Sequence, residues 1–170
     1  MSHRQQRQFC ERVRSMFPFH FLNATVLDVG SLDVNGSTRG LFRGGSYLGI
    51  DYVEGKGVDR VCSIHDVVGQ FTVVISTEAL EHDPKWKDTF NAMIAKTAHR
   101  GMVIMTCAGP GRKEHGTRNS PMPGMTNDTD HYRNIAPSEI IELAAPHRWD
   151  QIECIYERTN CDTYFWGIKL

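Results

Sequence analysis

Residues 24–37 read ATVLDVGSLDVNGS, an apolar run (Val26, Leu27, Val29) that stops at Gly30 and passes into a loop of glycine and small polar residues. Helix-forming sequence resumes near Ser37. A buried strand that ends at a glycine and hands over to a helix is a common ligand-binding device. Glycine accepts positive φ and lets a ligand approach the backbone, and the first helical amides point outward unpaired. Further on, residues 46–51 read SYLGID, a second apolar run closed by Asp51. In a strand–helix–strand unit an acid about 20 residues after the glycine turn suits a ribose, because a carboxylate accepts hydrogen bonds from both hydroxyls. The pair points to a nucleoside-containing cofactor.

The spacing narrows the choice. A dinucleotide fold prefers G-x-G-x-x-G, whose glycines admit a pyrophosphate, whereas here the next glycine after Gly30 is Gly36. Asp33 between them would set a negative charge beside a diphosphate, against NAD or FAD, and Asp28 is awkward near phosphate but helpful near a cation. A cofactor that joins adenosine to an ammonium and a sulfonium fits better. Through VLDVGSLDVNGS (26–37), YLGID (47–51), VCSIHD (61–66) and FTVVISTEALEH (71–82), in that order, the chain resembles the class I S-adenosylmethionine-dependent methyltransferases, particularly the small methyltransferase type 11-like group. The resemblance implies S-adenosylmethionine as cofactor and S-adenosylhomocysteine as product.

A chain of 170 residues, 40% hydrophobic and 23% charged, suits one globular domain with a sizeable core, residues 1–170. The formal net charge of −1 gives no strong nucleic-acid signal. No apolar run reaches the roughly 20 residues of a membrane span, and MSHRQQRQ does not read as a signal peptide. The cysteines Cys10, Cys62, Cys107, Cys154 and Cys161 are scattered without metal-binding spacing. Cys62 and Cys107 read as buried thiols, and a Cys154–Cys161 disulfide is disfavoured. A reducing cytoplasmic setting follows, that of a host cell if the chain is phage-encoded.

The order of signals is α/β. Residues 1–20 hold an N-terminal helix, with Phe9, Val13, Met16 and Phe17 on one face of residues 4–17 and Pro18 ending it. Strands are expected at about 25–30, 46–51, 58–63, 71–77 and 101–107. A short helix follows the glycine loop, capped by Asn35 or Ser37 and stopped by Gly44 and Gly45, and YVEGKG leaves almost no room for another. Pro84 opens a helix to about His99 with a core stripe of Trp86, Phe90, Met93 and Ile94. Residues 108–134, rich in glycine, proline and polar side chains, read as a lid loop. Pro137 starts a helix with Ile140, Ile141, Leu143 and Ala144 on one face, and QIECIYER and TYFWGIKL close the chain as a hairpin. The expected fold is a compact, Rossmann-like, mainly parallel seven-stranded sheet with trimmed helices on both faces and a C-terminal antiparallel hairpin.

Ligands of open α/β sheets bind beyond the carboxyl ends of the strands. The resemblance assigns Gly30, Ser31 and Gly36 to the methionine part of the cofactor, with Asp28 and Ser37 as further cofactor-binding candidates, and Asp51 and Tyr52 to the ribose and one side of the adenine. It assigns Ile64 and His65 to adenine contact, and places Thr77, Glu78 and His82 beside the sulfonium and the substrate. Each has a bland counterpart: a tight turn for the glycines, a loop hydrogen bond for His65, a helix-start pair for Glu78 and His82. Methyl transfer needs mainly in-line placement in a dry pocket. An alcohol or amine acceptor also benefits from a base, for which His82, His115 and His131 have suitable ordinary pKa values. His115 and His131 with Asp128 or Asp130 match no specific metal spacing, so no metal is expected. In similar proteins the N-terminal helix helps close the pocket, where Arg4, Arg7, Arg12 and Arg14 would meet an anionic substrate or simply face solvent. The leading expectation is methyl transfer to a small-molecule acceptor. A macromolecular acceptor, a non-catalytic cofactor-binding subunit and a homodimer remain open, while STEA stands where amino-methylating DNA enzymes carry N/D-P-P-Y/F.

Overall fold

In the computed structural model, which describes residues 4–123 and 130–170, the strands are β1 (Thr25–Val29), β2 (Ser46–Asp51), β3 (Arg60–Val61), β4 (Phe71–Thr77), β5 (Thr97–Ala108), β6 (Trp149–Glu157) and β7 (Asp162–Lys169). They form one sheet in the order β3-β2-β1-β4-β5-β7-β6. β1 pairs in parallel with β2 and β4, β2 with β3, and β4 with β5, while β7 runs antiparallel between β5 and β6. This is the expected mainly parallel sheet with a reversed terminal hairpin.

The continuous apolar runs of the central strands exist because both faces are covered, so successive residues enter different cores. Leu27, Val29, Val74, Val103, Met105 and Phe165 face one core. Val26, Val73, Ile75, Met102, Ile104 and Tyr164 face the other. The first core is covered by α2 (Trp86–Lys96) and α3 (Pro137–Ala144), whose Phe90, Met93, Ile94 and Ile140 are buried in it. The second is covered by α1 (Arg4–Met16) through Phe9, Cys10 and Val13, with Phe21 beside them.

Several elements differ from the sequence expectation. The helix expected after the glycine loop is a single 3-10 turn, Arg39–Leu41. Gly44 and Gly45 take φ +67° and +74°, and a Cβ at Gly45 would lie 2.1 Å from the Ala24 carbonyl oxygen, so the chain must reverse into β2 at once. β3 keeps two residues instead of six. Asp59 turns its carboxylate onto the Gly49 amide at 2.6 Å, and Ser63 caps the 3-10 turn Ile64–Asp66. α2 stops at Lys96 rather than His99, because Thr97 donates its hydroxyl to the Met93 carbonyl at 2.8 Å and pairs with Phe71 at the start of β5. Met16 and Ile141, expected on buried faces, are 42% and 43% exposed. All five cysteines are free thiols. Cys62 is only half-buried. Of the expected lid loop, the described residues after β5 form turns and bends without helix or strand; Asp128 lies outside the described residues. Among the described residues no helix is long and apolar enough to cross a membrane.

Candidate active site

Chain order reverses between β1 and β4. An open sheet leaves a crevice at such a switch point, beyond the strand ends. A cavity of ≈ 210 Å³ occupies it, walled by the ends of β1, β2 and β4 and the segments that follow them. At its base Asp28 is 4% exposed. The Tyr47 hydroxyl donates to Asp28 Oδ2 at 2.6 Å, while Asp28 Oδ1 has no hydrogen-bond partner. Burial pushes the Asp28 carboxyl up to about 6, against the opposing effect of the Tyr47 hydrogen bond. A buried oxygen lacking a donor is an acceptor in waiting, most of all for a cationic group. The Ser31 hydroxyl is likewise buried, in the wall and without a partner.

The loop after β1 is built differently from a phosphate cradle. Gly30 has φ +78°, and a Cβ there would sit 2.3 Å from the Cβ of Ala79 after β4, so only glycine lets the two loops touch. The amides of Gly30 and Ser31 both donate to the Ile50 carbonyl, at 2.9 and 3.0 Å. The Leu32 amide donates to Asp51 Oδ2 at 3.0 Å, the Asp33 amide to the Lys56 carbonyl at 2.7 Å, and the Gly36 amide to Asp33 Oδ1 at 2.6 Å. Donors expected to point at a ligand are therefore consumed within the loop, and no helix N-terminus stands behind them. Asp33 does not line the cavity; it pairs with Lys56 at 2.7 Å. What lines it is acidic: Asp28, Asp51, Glu78 and Asp83, with no lysine or arginine among the described wall residues. Asp51 also accepts from the Tyr52 and Val53 amides, at 2.7 and 3.3 Å, so its carboxylate is held rigidly at the end of β2.

Beyond β4 the chain makes a tight bend. Glu78 takes φ +55° and is buried, and its amide donates to the Thr106 carbonyl at 2.8 Å. The 3-10 turn Leu80–His82 follows. It aims His82 at the cavity wall and buries Glu81 completely behind it. The loop after β5 brings His115 and Tyr132 over these residues. Ring centroids are 5.2 Å apart for His82–His115, 4.9 Å for His115–Tyr132 and 5.6 Å for His82–Tyr132. The loop is tied down where it starts and where it returns. Arg112 Nη1 pairs with Asp162 Oδ1 at 3.0 Å, and the Arg133 amide donates to the Glu81 carbonyl at 2.9 Å. Burial, helped by the neighbouring His115, lowers His82 to about 4. Burial also lowers His115.

No known family pattern matches the sequence, and no curated protein matches it. Solved structures do match in shape. The N-terminal domain of EvdMO1, crystallised in the presence of S-adenosylhomocysteine and D-fucose, superposes with a TM-score of 0.68 over 100% of this chain and 85% of its own, at 18% identity. Magnesium protoporphyrin IX methyltransferase from Synechocystis PCC 6803, with bound S-adenosylmethionine, gives 0.66 over 98% and 80%, at 13% identity. A 1,6-didemethyltoxoflavin-N1-methyltransferase from Burkholderia thailandensis gives 0.66 over 96% and 77%, at 14% identity. The chain has the class I S-adenosylmethionine-dependent methyltransferase fold.

Within this methyltransferase fold, Asp28, Gly30, Ser31, Gly36, Ser37, Asp51, Tyr52, Ile64 and Thr77 all come to the cavity wall, as do Glu78 and His82. Ser37 also accepts the Arg39 amide at 3.1 Å, and Tyr52 stands 64% exposed at the rim. His65 does not reach the wall; it is exposed, and its amide donates to Ser63 Oγ. Cys62 and Ile64 form that side instead. His115 sits one layer back, against His82, and His131 approaches His82 through its backbone. As a base His82 is weak, since efficient proton acceptors have pKa values near the working pH. Helix α1 stays on the opposite core and contributes nothing to the described cavity wall. Its Arg12 pairs with Glu153. Residues the sequence reading missed are Tyr47, Ala79 and Glu81. Tyr47 stands two residues before Gly49, the register partner of Asp28, so it shares that side of the sheet, a relation that only the strand pairing reveals.

Proposed function

We propose that the protein is an S-adenosylmethionine-dependent methyltransferase acting on a small-molecule acceptor. One observation carries this reading: the switch-point cavity presents carboxylates without a balancing lysine or arginine, next to a loop whose amides are already spent. A diphosphate needs converging N–H donors and positive charge. A ligand with an ammonium, a sulfonium and a ribose needs acceptors, which this cavity supplies. S-adenosylmethionine, when bound, supplies a methyl group already activated on sulfur.

In this reading Asp51 holds the ribose hydroxyls, the apolar side made by Cys62 and Ile64 faces the adenine, and Tyr52 closes over it from the rim. Asp28 and Ser31 receive the amino-acid end, with Gly30 keeping the wall thin enough for it to pass. Thr77, Glu78 and His82 border the acceptor, and the described part of the loop after β5, with His115 and Tyr132, shields this side from water. Two of the similar folds carry names of enzymes that methylate a porphyrin and a toxoflavin precursor, which supports a small-molecule acceptor. The free cysteines suit a reducing compartment such as the cytoplasm.

Calorimetric titration with S-adenosylmethionine and S-adenosylhomocysteine tests the reading. Wild type should bind both in the micromolar range. Asp51→Asn, which retains one carbonyl acceptor but loses the charge, should weaken binding by about 1.5–3 kcal/mol. Wild type that binds neither ligand overturns the assignment.

A further inference from the structure

The cavity does not use Glu81 and His115, which meet behind it. Glu81 is fully buried, and neither carboxylate oxygen accepts a well-formed hydrogen bond. His115 Nε2 lies 4.0 Å from Glu81 Oε1 and also lacks a hydrogen-bond partner, while its Nδ1 lies 3.0 Å from the Lys113 carbonyl oxygen, which selects the Nδ1–H tautomer and leaves Nε2 as a lone pair. His82 stands beside both, and one ligand-type atom from each of the three residues lies within 4.8 Å of the other two.

We propose that Glu81, His82 and His115 form a binding site for a first-row divalent transition-metal ion, adjoining the cavity through His82. Two imidazole nitrogens and one carboxylate oxygen suit Zn²⁺, Mn²⁺, Fe²⁺ or Co²⁺, whereas Mg²⁺ and Ca²⁺ prefer all-oxygen sets. Bonds of about 2.0–2.2 Å in a tetrahedral arrangement place neighbouring ligand atoms roughly 3.4 Å apart. The cluster needs to close by about 1.4 Å at its widest, within reach of side-chain rotation. Three protein ligands leave a position for water or for an oxygen of a bound molecule.

An ion pair is the plain alternative for Glu81 and His115, and it fits poorly. The Lys113 carbonyl takes the proton-bearing Nδ1, so the ring turns its bare Nε2 toward Glu81, and 4.0 Å is too long for a hydrogen bond between them. A buried carboxylate facing a ring lone pair puts two acceptors together, an arrangement that a cation relieves. Tyr132 packs edge-on to His115, its hydroxyl donating to the same Lys113 carbonyl at 3.0 Å, so the orientation of His115 is supported from outside, as ligand histidines require.

The site stands whether or not the cavity takes S-adenosylmethionine. The metal-stripped protein is titrated with Co²⁺, followed by visible ligand-field absorption, and with Zn²⁺ by calorimetry. Wild type should bind one equivalent, with no thiolate-to-cobalt charge-transfer band. Glu81→Gln and His115→Gln should each weaken binding at least 10-fold. The unfolding midpoints of both metal-free variants are measured beside that of wild type, and a midpoint close to wild type shows that lost binding does not come from misfolding. No stoichiometric binding by wild type overturns the proposal. So do equal affinity in both variants, or a thiolate band, which would assign the ion to cysteine. S-adenosylhomocysteine titration of the same samples reports separately on the cofactor reading.

Discussion

Replacing Gly30 by alanine probes the tightest contact in the cavity wall. A Cβ at Gly30 falls 2.3 Å from Ala79 Cβ, and the next atom, Ala79 Cα, is 3.8 Å away. Carbon atoms rest about 3.5–4.0 Å apart, so one atom pair overlaps by more than ~1 Å and neither methyl can rotate out of the way. Overpacking of this kind costs about 1–3 kcal/mol, and the φ of +78° adds about 1–2 kcal/mol for an L residue. Gly30→Ala should therefore lose about 2–5 kcal/mol in urea unfolding. A double-mutant cycle divides the two causes. Ala79→Gly removes the overlapping atom and leaves the φ penalty, at a cost of its own of about 0.5–1 kcal/mol. The double variant should be more stable than the sum of the single losses by about 1–3 kcal/mol. Titration with S-adenosylhomocysteine should follow the same order, weakest in Gly30→Ala and partly restored in the double variant. A coupling energy within about 0.5 kcal/mol of zero would refute close approach of the two loops as the reason for glycine.

Asp28, raised from 3.8 to about 6 by burial, holds its proton more tightly folded than unfolded. Its stabilising contribution is complete below pH 4 and is lost as pH rises through 6, by at most about 3 kcal/mol. Asp28→Asn mimics the protonated form, so its stability relative to wild type should increase between pH 4 and pH 7; a constant difference across that range would remove the titration. Arg112→Ala leaves the fully buried Asp162 carboxylate without its guanidinium. It should cost about 3–5 kcal/mol, with Asp162→Asn recovering part of the loss; a change below about 1 kcal/mol would make the pair a surface-type contact. Ser31→Ala should leave ligand-free stability within about 0.5 kcal/mol, because the hydroxyl has no partner there. It should weaken S-adenosylhomocysteine binding by about 0.5–1.5 kcal/mol, and unchanged binding would take Ser31 out of the site.

Legibility in the sequence followed the reach of the forces involved. β4 was readable because a strand buried on both faces must be apolar at every position from Val73 to Ile75. The early start of β5 was not, since His99 and Arg100 are polar and exposed and Ala98 through Arg100 continue the helical pattern of α2. The turn after Gly30 was misread for the opposite reason: its composition allows a helix, but Gly45 against Ala24 compels a return to β2 too soon for one. Asp51 and Gly30 were found by spacing along the chain, whereas the Tyr47–Asp28 hydrogen bond depends on parallel register. Glu81 adjoins His82 in sequence, yet its proximity to His115 is created only when the loop after β5 folds back.

The sparing use of glycine in the first loop follows from what the loop has to do. A phosphate-binding turn needs several glycines so that a bulky anion can touch bare backbone and collect N–H donors. Here the Leu32 amide is given to Asp51 and the Gly36 amide to Asp33, so no anion has to be reached and Leu32, Asp33, Val34 and Asn35 are tolerated. The same internal bonds fix Asp51 against the loop, which turns a carboxylate at a strand end into a rigid acceptor. Spent donors and aligned acceptors are two results of one hydrogen-bond pattern. In the proposed reading such a cavity disfavours diphosphates and favours cations, through the backbone pairing of residues 30–36 as much as through the carboxylates themselves.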